Sequence, residues 1–351
     1  MAWAGVGACA QRTGVAPSVS DGDIDTEIVT TTPRDGRVVL VTIDGARWQD
    51  VFEGSDPSLS GAPRVSAEAL MPRVHQLVAT GGVALGANLD GCATVHTTGA
   101  SNVSLPGYIE IFTGHPSRCL DNGCARVLES VLDEVVVDAR GVAASIDSWE
   151  ALDKAVTGGG RGVFVSAGRS WPAETVASDA LAERVAAGQA ADPYPGRGTY
   201  RPDGATAAIA LEYFRAARPA LLHIGLGDTD EYAHRGDYAA YLGALGRADA
   251  LIGELADALA TMGADGEKTT VIVTPDHGRN SDFRDHGLLH PESGRTFVLA
   301  FGGGIAVRGL ACPAHDVTLA DIAPTIRVLM GLPRDIADGH GQPISLITEQ
   351  P

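Results

Sequence analysis

Apolar residues in this chain fall into short runs that end in carboxylates and imidazoles. Val38 to Ile43 leads into Asp44, Leu221 to Leu226 into Asp228, Asp230 and His234, and Thr270 to Thr274 into Asp276 and His277. Runs of this length, rich in β-branched residues, read as strands buried on both faces, and the carboxyl ends of such strands are where open α/β sheets gather their polar groups. Between the runs the period changes to that of helices. Leu70, Val74, Leu77 and Val78 share one face of a helix expected over Ala67 to Ala79, and a second is expected near Ala205 to Ala217. After Asp237, a residue type suited to an N-cap, Tyr238, Tyr241, Leu245, Ile252 and Leu259 recur at helical spacing. A strand at Thr296 to Phe301 and a helix from Leu319 to Met330, closed by Gly331, complete the pattern. Strands alternating with helices predict an α/β fold with a largely parallel central sheet and helices on both faces.

The organisation along the chain follows from what interrupts this alternation. Nearly a hundred residues separate Cys124 from Leu221, whereas a single crossover needs about 30. A small cap insertion is therefore expected around 125–220, inside one domain spanning 36–346. Within that stretch Val163 to Ser166 is apolar, while 158–162 and 192–203 are Gly- and Pro-rich and read as loops. The glycine cluster lacks the Lys-Ser or Lys-Thr of a phosphate loop. Residues 1–35, rich in Thr, Ser, Gly, Asp and Pro, read as a disordered tether or signal remnant. Met1 to Cys9 resembles the tail of a bacterial lipoprotein signal without its basic region or full apolar stretch, so Cys9 is either a lipid anchor or incidental.

Composition removes several function classes. With 351 residues, 44% of hydrophobic type, the chain can bury a large core. Acidic residues outnumber basic ones by 44 to 26, a formal charge of −18 that repels a nucleic-acid duplex. No apolar run reaches the roughly 18 residues of a transmembrane helix. Cys92, Cys119, Cys124 and Cys312 allow three pairings. Cys119 and Cys124 flank a turn-forming segment suited to a short disulfide loop, which points to a periplasmic or secreted protein; buried thiols of a cytosolic enzyme are the alternative.

The chemistry-bearing residues converge on one site. Ser104 stands two residues before Pro106, which can open a helix running to Thr113 with Gly114 at its end. Free N–H groups and the positive end of that helix would stabilise an alkoxide and an incoming phosphoryl oxygen; a plain helix cap is the simpler role for Ser104. Asp230 and His234 lie four apart and project to one side of a helix. Asp276 and His277 directly follow a strand, a costly place for charge without a partner. Together with Asp44 and with His286 in its Asp-His-Gly triplet, these residues make a metal site the economical reading.

In this order the residues resemble the alkaline phosphatase superfamily, in particular its nucleotide pyrophosphatase/phosphodiesterase-like and related phosphatase branches, from about Val38 to Gly331. The resemblance implies two divalent metal ions, zinc or else manganese, one held by Asp44, Asp276, His277 and the Ser104 oxygen, the other by Asp230, His234 and His286. It further implies a small phosphate ester as substrate, Ser104 as nucleophile, a phosphoseryl intermediate, and Asn122 against a phosphate oxygen, an Asx turn being the alternative for Asn122. His290 competes with His286, and Asp228 with Asp230; the family's His-Gly pair and four-residue spacing favour His286 and Asp230. Tyr108 occupies the position where sulfatases carry arginine, which disfavours a sulfatase. The arginine that follows the nucleophile in the best-known monoesterases is also missing. Monoester, diester and phosphonate hydrolysis therefore stay open, with Lys154 or Arg201 as a substitute cation. A phosphoglycerate mutase-like phosphotransferase and a metal-binding non-enzyme are the remaining alternatives.

Overall fold

Strand β1, Arg37–Ile43, lies in the middle of the sheet because both of its faces are apolar. Val39, Val41 and Ile43 pack into one core with Tyr241, Leu245 and Ile252, while Val38 and Leu40 enter a second core with Leu105, Ile111 and Ile326. Each fully buried aliphatic side chain of this kind contributes about 1.5–3 kcal/mol. This computed structural model describes residues 35–61, 63–138, 140–172, 178–333 and 341–349. The tether expected at the start falls outside them up to residue 34, and Cys9 with it.

The remaining strands are β2 Gly82–Leu85, β3 Val95–His96, β4 Ala143–Asp147, β5 Phe164–Ala167, β6 Leu221–Leu226, β7 Thr269–Thr274, β8 Val298–Gly302, β9 Gly309–Leu310 and β10 Val317–Thr318. Eight of them form one sheet in the order β5-β4-β6-β1-β7-β8-β2-β9, and β3 pairs with β10 separately. β1 runs parallel to β6 and β7, with Ile43 opposite Leu226 and Thr42 opposite Thr274. The segments after these three strands therefore leave the sheet side by side. β8 is antiparallel to both neighbours, β7 and β2, so it starts at the edge where β7 ends. Helices Asp203–Ala217 and Tyr238–Ala260 cover one face, and Ser104–Thr113 and Ile322–Met330 the other. Among the described residues no helix is long and apolar enough to cross a membrane.

Three expectations change. The helix read over Ala67 to Ala79 is two, Ala67–Leu70 and Pro72–Gly81, because Pro72 drives Met71 out of the helical region (φ −131°, ψ 63°). The second helix draws its cap from another element: Asp249 accepts from the N–H groups of Arg73 and Val74 at 3.2 and 2.7 Å. β2 follows that helix without a loop, and its Gly82 allows close approach of β8, since a Cβ there would lie 2.3 Å from the Ala300 carbonyl oxygen. Finally, the stretch 125–220 builds β4 and β5 into the edge of the main sheet beside β6, so much of the expected cap belongs to the central layer. Outside the sheet it supplies helix Asp179–Ala190, which packs on Asp203–Ala217, and the loop at 191–202.

Candidate metal centre

Asp44 follows β1, Asp230 follows β6 and Asp276 follows β7, so the parallel register alone gathers three carboxylates at one edge. Ser104 reaches the same edge from the opposite core. Helix Ser104–Thr113 begins at Ser104 itself, with Val103 as its N-cap and Gly114 in the left-handed region at its end. The hydroxyl is therefore the first residue of the helix and does not cap it. Gly107 makes the approach possible: a Cβ there would lie 2.2 Å from the Asp276 carbonyl oxygen.

The buried half of the site consists of Asp44, Ser104, Asp276 and His277, the last two with no exposed surface. Ser104 Oγ is 3.4 Å from Asp44 Oδ1 and 3.3 Å from His277 Nε2. His277 Nε2 is in turn 3.5 Å from Asp44 Oδ1 and 3.4 Å from Asp276 Oδ2. His277 Nδ1 lies 2.8 Å from the Gly278 carbonyl oxygen. A carbonyl can only accept, so Nδ1 carries the proton and Nε2 presents a lone pair to the cluster. Asp276 Oδ1 accepts from the Gly45 N–H at 3.0 Å, whereas its Oδ2 is buried and receives no hydrogen bond. Several lone pairs thus converge with one serine hydroxyl among them, and a buried acceptor is left over. That donor set, all oxygen and imidazole nitrogen, fits a divalent cation.

The second half is more open. Asp230 and His234 lie on helix Asp228–His234, Asp230 Oδ2 being 3.1 Å from His234 Nε2. His286 Nε2 lies 3.1 Å from His234 Nε2 and 3.7 Å from Asp230 Oδ1, and its Nδ1 donates to the Asn102 carbonyl at 2.9 Å. The His277 and His286 rings stack 3.9 Å apart. Ligand atoms of Asp44, Asp276 and His277 fall within 4.8 Å of one another, as do those of Asp230, His277 and His286, so His277 stands between the two sets.

Burial and charge shape the protonation of these groups. Burial first, then the neighbouring Asp276, pushes the Asp44 carboxyl well above its usual range, and burial raises Asp276 as well. His286 is held far below the ordinary imidazole value by burial and, after it, by the neighbouring Arg279 guanidinium, which keeps it in the neutral form a ligand requires.

Not every expected residue takes part. His290 lies outside both sets, its Nδ1 3.3 Å from the Asn280 amide nitrogen. Asp228 is turned away, its carboxylate taken by Tyr200, Arg247 and the Asp203 N–H. Arg201 is buried and spends its guanidinium on Ser166, Thr206 and the Asp147 carbonyl, so it is not a cation for substrate. The Cys119–Cys124 disulfide brackets Asn122, whose Oδ1 accepts from the Leu105 N–H at 2.9 Å and ties that loop to the start of the Ser104 helix. The residue that sequence reasoning passed over is Arg279. Fully buried, it pairs with Asp230 Oδ1 and donates to the Gly45 carbonyl, and burial lowers its pKa to about 9. Its signal was its place three residues after Asp276.

Residues 200–334 match the family model of the Metalloenzyme superfamily. Two curated relatives align over 128 residues each. One is GPI ethanolamine phosphate transferase 1 of Yarrowia lipolytica, 31% identical over 32% of this chain and 14% of that protein. The other is a 2,3-bisphosphoglycerate-independent phosphoglycerate mutase of Haloarcula marismortui, 29% identical over 36% of this chain and 23% of that protein. The chain thus spans less than a quarter of the length of either relative in the matched region. Among solved structures, a 2-O GAG sulfatase superposes with a TM-score of 0.59 and 12% identity, covering 91% of this chain and 75% of its own. A phosphonate monoester hydrolase from Silicibacter pomeroyi superposes at 0.56 and 16%, covering 90% and 77%. At such identities these likenesses establish a shared fold.

Proposed function

We propose that this chain, whose residues 200–334 match the Metalloenzyme superfamily model and whose fold is that of sulfatases and phosphonate monoester hydrolases, is a metal-dependent phosphoric ester hydrolase with Ser104 as nucleophile. The observation that carries this reading is the clustering of Asp44, Asp276 and His277 ligand atoms, with the Ser104 hydroxyl at the start of a helix against Asp44 and His277. Two divalent ions, held by Asp44, Asp276, His277 and Ser104 and by Asp230, His234 and His286, would lower the pKa of the serine hydroxyl and offset charge on the phosphoryl group.

The protein's own groups account for the rest of the cycle. Ser104 Oγ, its proton lost to solvent, attacks phosphorus; the ester oxygen departs with the electron pair of the P–O bond and takes a proton from solvent, leaving a phosphoseryl enzyme; water then attacks that phosphorus, the bond from phosphorus to Ser104 Oγ breaks, and the phosphate product leaves. At the start of the Ser104 helix the Leu105 N–H is taken by Asn122, Pro106 has none and the Gly107 N–H bonds the Val103 carbonyl, so the Ser104 N–H and the positive end of the helix dipole are what would face developing negative charge. Asn122 accepts the Leu105 N–H and so ties its loop to the start of that helix. The names of the two curated relatives support chemistry at phosphorus, and Tyr108 in place of arginine weighs against sulfate esters despite the sulfatase-like fold. The two disulfides, Cys92–Cys312 and Cys119–Cys124, support an oxidising, extracytoplasmic location.

The test is hydrolysis of p-nitrophenyl phosphate, bis-p-nitrophenyl phosphate and p-nitrophenyl phenylphosphonate by metal-loaded wild type and Ser104→Ala, with bound metal counted in the same samples. Wild type is expected to carry about two metals and turn over at least one ester, and the variant to lose activity by at least about 1,000-fold. Turnover by Ser104→Ala at the wild-type rate would eliminate the serine mechanism.

A further inference from the structure

A polar network inside the sheet core lies directly behind Asp44. His223 on β6, Asp147 and Ser145 on β4 and Thr42 on β1 all have zero exposure. His223 Nδ1 sits 2.9 Å from Asp147 Oδ1 and 2.7 Å from Ser145 Oγ, and its Nε2 sits 2.9 Å from Thr42 Oγ1. The Tyr108 phenol ring lies edge-on to the His223 ring at 6.4 Å. The Tyr108 hydroxyl then donates to Asp44 Oδ2 at 3.3 Å. Three adjacent strands, β4, β6 and β1, thus carry one polar network that packs against Tyr108, whose hydroxyl ends on the first carboxylate of the site.

Stability alone does not explain this network. Replacing a buried polar or ionic cluster by well-packed apolar groups is often neutral or stabilising, and the neighbouring positions of these strands are already aliphatic. The termination of the network is informative. Asp44 has two oxygens: Oδ1 faces Ser104 Oγ and His277 Nε2, while Oδ2 is taken by the phenol. A hydroxyl fixed on Oδ2 stops the carboxylate from rotating and keeps one oxygen directed at the serine. Tyr108 stands four residues after Ser104, one helical turn on, so the helix that presents the serine also presents the group that orients its partner.

We infer that Tyr108 is a positioning residue, braced by Thr42, His223 and Asp147, that holds Asp44 with Oδ1 toward Ser104 and so sets the affinity of this half-site for a divalent cation. The inference rests on the metal-site reading given above. It is tested by titrating Zn2+ into chelator-stripped wild type, Tyr108→Phe and Thr42→Val in competition with a chromophoric chelator, alongside thermal unfolding of the stripped proteins. Tyr108→Phe keeps the ring and its packing and removes only the oxygen. Its affinity for Zn2+ is expected to fall 10- to 100-fold, the range for loss of a group that orients a ligand, while the unfolding midpoint of the stripped protein stays within a few degrees of wild type. Thr42→Val, a near-isostere, is expected to weaken binding in the same direction by a smaller factor, and it carries the test if Tyr108→Phe does not fold. Unchanged Zn2+ affinity in a folded Tyr108→Phe would overturn the inference while leaving the metal site intact. A lowered midpoint with unchanged affinity would assign the network to stability and overturn it equally. Failure of the wild type to bind Zn2+ would overturn both.

Discussion

Glu110 shows how burial sets the behaviour of a single residue away from the metal centre. It is 1% exposed on the Ser104 helix, accepts from the Thr98 N–H at 3.0 Å, and has its pKa raised by burial to about 7. In the unfolded chain it titrates near 4.5. Between those values the folded protein keeps a proton that the unfolded chain has released. The contribution of Glu110 to stability is therefore complete below about pH 4.5 and is lost as pH rises through about 7. The full swing has a ceiling of roughly 3 kcal/mol. Glu110→Gln, which cannot ionise, is expected to remove this component, and chemical denaturation of both proteins between pH 5 and pH 8 checks it. A wild-type stability that rises with pH relative to the variant would contradict the burial argument.

At the scale of elements, the close packing of the Ser104 helix on the β7 loop decides whether the site forms. Alanine inside a helix normally gains up to about 1 kcal/mol over glycine. At Gly107 the added Cβ would meet a backbone carbonyl, that of Asp276, and overpacking against backbone typically costs 1–3 kcal/mol. The clash wins. Gly107→Ala is expected to lower the unfolding free energy by about 1–2 kcal/mol and to reduce ester hydrolysis by far more than that implies, because the helix must retreat from Asp276. Urea unfolding and steady-state kinetics on the same preparation separate the two effects. Which elements were legible in the sequence follows from similar physics. β1, β6, β7 and the helix Tyr238–Ala260 are long and apolar, and the carboxylates and imidazole proposed as ligands follow the three strands. β4 was hidden because Ser145 and Asp147 point inward to serve His223, so its pattern resembles a loop. β2 was hidden because four residues beginning at a glycine look like a helix terminus. Arg279 and the Tyr108–Asp44 contact depend on three-dimensional proximity between separate segments, which no spacing rule encodes.

Across the whole molecule, the two disulfides differ in what they constrain. Cys92–Cys312 joins residues 220 apart, whereas Cys119–Cys124 closes a five-residue separation. Chain entropy favours the longer link, with a ceiling of about 5 kcal/mol against about 2 kcal/mol for the shorter. Cys92→Ser/Cys312→Ser is thus expected to lower the unfolding midpoint more than Cys119→Ser/Cys124→Ser. The second pair should instead impair catalysis by loosening Asn122 from Leu105. Thermal melts paired with kinetics distinguish them, and equal midpoints would show that the long link constrains little.

The reversed strand β8 has an outcome at this same scale. Because β7 ends and β8 begins at one edge, the connection from residue 275 to 297 never crosses the sheet, yet it carries Asp276, His277, Arg279 and His286. Four groups of the proposed site travel as one contiguous cassette anchored at both ends by a hairpin of strands. Substitutions, insertions or grafts within that cassette can retune reactivity while the sheet beneath keeps its register, which makes this segment the natural unit for diversification and for engineering.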